Sequence, residues 1–139
     1  MASYNRVELM GVINSEPMAK SSAAGESSCV FSVMVTQEVL NLRNEPIQET
    51  CFVDVEASGN LGQVILANFH KEMPVWVEGH LKMERIPDRA TGRNRNRLYV
   101  AANAVQVIAN DGRPIPEAPD LRQGSETGQV PPPSDEMTF

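Results

Sequence analysis

The chain has 139 residues with 41% hydrophobic and 22% charged side chains, ordinary usage for one globular domain, so neither full-length disorder nor a membrane protein fits. No run reaches the roughly 18 to 20 apolar residues of a spanning helix, and the start, MASYNRVELMG, has no basic end followed by an unbroken apolar stretch, so the expected location is the cytosol. Formal net charge is −6 and only two cysteines occur, Cys29 and Cys51, which argues against a basic nucleic-acid binder on average charge and against a disulfide framework.

Charge is unevenly distributed. The part after Ile108 holds two basic and six acidic residues, with six of the ten prolines and no apolar run, and is expected to be disordered. Between Lys82 and Arg97 six basic side chains stand against Glu84 and Asp88, leaving that stretch net +4. An anion-binding face is therefore expected to be confined to one region.

In chain order, Val7, Leu9, Gly11 and Ile13 share one parity, which predicts a half-buried strand. Residues 15–26, rich in Ser, Ala and Gly, predict a loop. Cys29, Phe31, Val33 and Val35 alternate with Ser32, Met34 and Thr36 in a second strand to about Val39. A connection containing Pro46 follows over 41–49. Cys51, Val53, Val55 and Ala57 then oppose Phe52, Asp54 and Glu56 in a third strand that ends at Gly59. Leu61, Val64, Ile65 and Phe69 repeat at helical spacing, which predicts a short helix closed by Lys71 and Pro74. Val75, Val77, Gly79, Leu81 and Met83 resume period two. Residues 98–108 form the last strand, with a parity change near Ala104 that predicts a bulge.

Three strands, one short helix and two strands joined by a long Arg-rich hairpin follow the element order of a mainly β, five-stranded OB-fold barrel with the helix between strands three and four. A five-stranded α+β sheet gives the same string. The expected domain spans residues 3–109, followed by a Pro/Gly-rich acidic linker over 110–133 and an acidic tip over 134–139.

The runs NRVELMG, CFVDVEASGNLGQVILANF and VWVEGHLKMER, together with the closing SDEMTF, resemble the bacterial single-stranded DNA-binding protein family. The resemblance implies an OB-fold that assembles as a homotetramer, wraps single-stranded DNA in replication, recombination and repair, and recruits genome-maintenance proteins through its tip. It also implies a nucleoid-associated, cytoplasmic location. Phe52 matches one base-stacking position, while Val39, Ser58 and Ile86 stand where Trp or Phe is common. Each lost stack removes about 1–3 kcal/mol per base. Glu72 and Met73 stand where a Gly is common, which is expected to affect helix capping.

Read from the residues themselves, Phe52 falls on the polar face of its strand, where a ring is free to stack on a base. Lys82, Arg85, Arg89, Arg93, Arg95 and Arg97 are expected to reach successive phosphates, and Tyr99 is a second candidate for stacking. Trp76 is expected to pack in the core or at a subunit interface. Asp135, Glu136, Met137, Thr138 and Phe139 combine acidic groups with apolar anchors, which suits a basic-rimmed pocket on a partner. His70 and His80 lack partners at ligand spacing, and Cys51 shares the inward parity of Val53, so no catalytic, metal or cofactor site is expected. The rival readings are an OB-fold interaction module, accessory primosomal or a degenerate paralogue with weak nucleic-acid binding, and an RNA-binding OB protein.

Overall fold

The structure, a computed structural model, describes residues 1–21, 25–109 and 120–122. Seven strands and one helix follow in the order β1 (Val7–Ile13), β2 (Met18–Ser21), β3 (Ser27–Leu40), β4 (Pro46–Ser58), α1 (Gly59–Asn68), β5 (Pro74–Asp88), β6 (Arg93–Val107) and β7 (Asp120–Arg122). The sheet runs β1-β5-β6-β4-β3, and a further pairing of β1 with β3 closes it into a five-stranded barrel. All of these contacts are antiparallel except β4 with β6, where Val55 and Glu56 lie beside Val100 and Ala101 in parallel. The α1 helix joins β4 to β5, so the OB-fold read from the element order is the observed one.

Closure requires β1 to serve two neighbours. Val7 to Val12 pair with β5, and Val12 and Ile13 also pair with Met34 and Val33 of β3. Gly11 sits where the strand changes partner, and a Cβ there would lie 2.3 Å from the Met34 carbonyl oxygen. The bulge predicted near Ala104 is present: Glu78 faces Ala104 while Gly79 faces Ala102, so β6 carries one extra residue, Asn103.

The inward parities of all five barrel strands fill the core with Ile13, Phe31, Val33, Val55, Val75, Val77, Val100 and Val105. Leu61, Ile65 and Phe69 of the α1 region close the barrel's end. Burying side chains of this size contributes about 1.5–3 kcal/mol each relative to exposure, which is why the alternation was legible in sequence.

Four features depart from expectation. Residues 15–26 are not all loop, because β2 pairs with β3 from Met18↔Val30 to Ser21↔Ser27. Only residues 41–45 form the connection between β3 and β4, in a turn where Asn41 Oδ1 accepts hydrogen bonds from the Arg43 and Glu45 amides at 2.8 and 2.9 Å. Pro46 opens β4, a position that tolerates a residue lacking an amide donor. Glu72 adopts φ 77° beyond the helix, and its amide donates to the Ile13 carbonyl at 2.7 Å. The conformation that favours glycine there belongs to a turn docked on β1, not to a helix cap.

Within the segment expected to be linker, Asp120–Arg122 form β7 on Ala104–Gln106 of β6, past the point where β6 leaves β4. The rest of that linker and the tip residues Asp135, Glu136, Met137, Thr138 and Phe139 lie outside the described residues.

Candidate nucleic-acid interface

The outer face of β4 carries Phe52, Asp54 and Glu56, the parity opposite to buried Val55 and Ala57. Phe52 is 61% exposed and lies across from Met34 of β3. A ring held on a barrel wall with most of its surface in water has an open π-face.

Beside it the β5–β6 hairpin extends beyond the barrel as a continuous ladder from Lys82↔Tyr99 to Asp88↔Arg93. The turn over 89–92 is tight: Gly92 has φ 72°, its amide donates to the Asp88 carbonyl at 2.8 Å, and Asp88 Oδ1 accepts from the Ala90 amide at 3.0 Å. The pleat puts Lys82, Arg93, Arg95, Arg97 and Tyr99 on the face shared with Phe52, and Arg85, opposite Asn96, on the other. Arg89 occupies the turn. Lys82, Arg85, Arg89, Arg93 and Arg95 are exposed, and among the described residues none has a carboxylate within ion-pair distance.

Arg97 is placed differently from the rest. Its Nη1 is 3.0 Å from Glu84 and 3.6 Å from Glu56, and its Nε is 3.5 Å from Asp54. Lys20 of β2 completes the cluster at 3.3 Å from Glu56 and 3.4 Å from Glu84, while Ser28 Oγ donates to Glu56 at 3.2 Å. Burial raises the pKa of the Glu84 carboxyl, but the hydrogen bond from Arg97 and the charge and hydrogen bond of Lys20 outweigh it, holding Glu84 below the usual carboxylate range. The guanidinium lies over the Tyr99 ring, its carbon 4.5 Å from the centroid, and Tyr99 is only 9% exposed.

Of the residues expected to form the interface, the structure thus brings together Phe52, Lys82, Arg93 and Arg95 as exposed groups on one side. Arg85 stands on the reverse, and Tyr99 lies beneath Arg97. Sequence reading missed the carboxylate cluster, although the shared parity of Phe52, Asp54 and Glu56 already placed two of its members. Lys20 gave no signal because its four-residue strand lies in a stretch without alternation.

Cys51 is exposed, contrary to the expectation from its inward parity, because it faces an open groove instead of the packed core. It helps line a groove of about 480 Å³ with Leu9 of β1, Val35 of β3 and Val53 of β4, on the parity of β4 opposite to Phe52. Cys29, inside the barrel, is fully buried, and burial pushes its thiol up to about 11. Among the described residues no group of three His, Cys, Asp or Glu side chains is placed to hold a metal ion, and no helix is long and apolar enough to cross a membrane.

A closed five-stranded barrel with an outward aromatic beside a cationic hairpin defines an OB-fold protein of the kind that presents a binding face on its wall. Residues 4–108 match the single-strand binding protein family, and the chain belongs to that family. It is 29% identical over 110 residues to a single-stranded DNA-binding protein of Treponema pallidum, covering 79% of this chain and 61% of that one. It is also 31% identical over 107 residues to the replication restart protein PriB of Photobacterium profundum, covering 76% of this chain and 96% of that protein. Among solved structures, the single-stranded DNA-binding protein of Plasmodium falciparum in complex with single-stranded DNA superposes with a TM-score of 0.68 at 17% identity, over 78% of this chain and 98% of that one. This last likeness concerns the fold.

Proposed function

We propose that this protein is a non-enzymatic single-stranded DNA-binding protein of the cytoplasm that protects exposed strands during replication, recombination and repair. Exposed Phe52, on the same outer face as the cations of the β5–β6 hairpin in a chain of this family, is the observation that carries the reading. Lys82, Arg93 and Arg95, with Arg89 at the turn and Arg85 on the reverse, neutralise phosphates and release counterions. Phe52 stacks on a base, which holds the strand without reading its sequence. Four copies assemble, and the tip from Asp135 to Phe139 recruits partner proteins by its acidic groups and apolar anchors.

The aromatic platform is sparse, with Val39, Ser58 and Ile86 where stacking rings are common in the family. This, and the likeness to a replication restart protein over 96% of that protein and 76% of this chain, support a second reading as an accessory module with weak nucleic-acid binding. Titration of the purified protein with a poly-dT oligonucleotide across salt concentrations separates the two. Binding that weakens steadily with salt supports the first reading, and absence of binding at low salt supports the second. A poly-U oligonucleotide of equal length, bound more tightly than poly-dT, would favour an RNA-binding role instead.

A further inference from the structure

We propose that Arg97 is a base-stacking residue, its guanidinium plane clamped over Tyr99 by Asp54, Glu56 and Glu84 so that the outer face receives a base beside Phe52. This rests on the single-stranded DNA reading and changes the role expected of Arg97 within it.

Part of the guanidinium edge is already occupied. Its Nε and Nη1 lie 3.0–3.6 Å from three carboxylates, and against these stand, among the described residues, Arg97 itself and Lys20, so the cluster is net negative by one charge. A phosphate approaching Nε or Nη1 meets that net negative charge. The flat faces are another matter. The guanidinium carbon lies 4.5 Å from the centroid of the Tyr99 ring, and the Arg97 side chain keeps 19% exposure. A guanidinium is weakly hydrated across its plane and stacks on bases as aromatic rings do. Tyr99 beneath it supplies attraction to the cation and a rigid support.

Position and rigidity agree. Asp54, which holds Nε, is two residues from Phe52 on the same face of β4, a spacing of roughly 7 Å along a strand. A strand with one base on Phe52 therefore has a neighbouring base within reach of Arg97. Glu56 and Glu84 are themselves held by Lys20, and Glu56 also by Ser28, so the plane is oriented before any ligand arrives. A platform poor in aromatics thereby gains a second stacking surface.

The test compares wild type, Arg97→Ala and Arg97→Lys on a dT oligonucleotide and on one of equal length built with abasic sites. Both variants are expected to lose about 5- to 100-fold on the dT strand, with an unchanged salt slope, and to match wild type on the abasic strand. Arg97→Lys keeps the charge and lacks the plane, so it decides the matter where Arg97→Ala is unfolded by thermal melting. Full rescue by Lys, equal losses on both strands with a slope shallower by about 0.7, or unchanged affinity in both variants would each overturn the proposal. Failure of wild type to bind the dT strand would instead remove the reading on which it rests.

Discussion

Phe52 leaves 61% of its surface to solvent while its neighbours at 55 and 57 are fully buried, so the ring contributes little to the core. Phe52→Ala is accordingly expected to weaken binding of a dT oligonucleotide by about 1–3 kcal/mol, the range for one lost base stack, with an almost unchanged melting temperature. A large fall in melting temperature with intact affinity would assign the ring a packing role. Cys29 is the opposite case. Its thiol pKa stands at about 11 against an ordinary 9.0, because ionisation inside the barrel has no water to solvate it. The folded state thus holds this proton where the unfolded state has released it. The stabilisation is complete below pH 9 and is lost as pH climbs toward 11, a difference of about 3 kcal/mol at one pKa unit per 1.36 kcal/mol. Urea unfolding at pH 8 and pH 10.5 checks this: Cys29→Ala is expected to lose less stability than wild type over that interval, and parallel losses in the two proteins would contradict it.

The Arg-rich β5–β6 hairpin is a paired ladder up to Asp88↔Arg93, which arranges its cations along two strands. Arg89, Arg93 and Arg95 are free of carboxylates among the described residues, unlike Arg97. Replacing these three by Ala removes up to three phosphate contacts per chain, so the slope of log K against log salt is expected to become shallower by up to about two units per engaged chain. The loss should be uniform across sequences, since backbone contacts carry no base information. An unaltered slope would mean that the array is only a solvated surface. The same geometry explains what the sequence could tell. Inside the barrel each strand has one buried face, and the alternation of Val7 to Ile13, of Cys29 to Val35 and of Val75 to Gly79 announces it. Where β4 and the β5–β6 hairpin leave the barrel, both faces meet water, so residues 46–50 and 93–97 show no alternation and read as connections. Phe52 was legible as an apolar residue on a polar parity. The cluster around Arg97 was not, because it joins β2, β4, β5 and β6, with Lys20 and Glu84 lying 64 residues apart.

At the scale of the whole molecule, a chain of net charge −6 binds a polyanion only if its cations are concentrated and its acids lie elsewhere or are paired. The hairpin provides the concentration, and Arg97 with Lys20 provides part of the pairing. The barrel wall has a second unfinished surface. Met10, 48% exposed, lies opposite half-buried Trp76, and Val12 lies opposite Met34, so apolar side chains run across β5, β1 and β3 on the outside. A lone barrel gains nothing by wetting such a strip, and this is the surface on which the proposed assembly of four copies would form. Light scattering at micromolar concentration is expected to give about 61 kDa, four chains of 15.3 kDa each. A Met10→Lys substitution places a charge in the middle of the strip and is expected to yield smaller species that keep the melting behaviour of the barrel. Assembly also bears on affinity. In the proposed assembly four sparse platforms acting on one strand would turn successive contacts into intramolecular events, so overall binding is expected to exceed that of one barrel by factors of about 10² to 10⁴. Met10→Lys should therefore weaken binding of a long dT strand far more than that of one short enough to occupy a single barrel. Equal losses on the two lengths, or a wild-type mass near 15.3 kDa, would show that each barrel works alone.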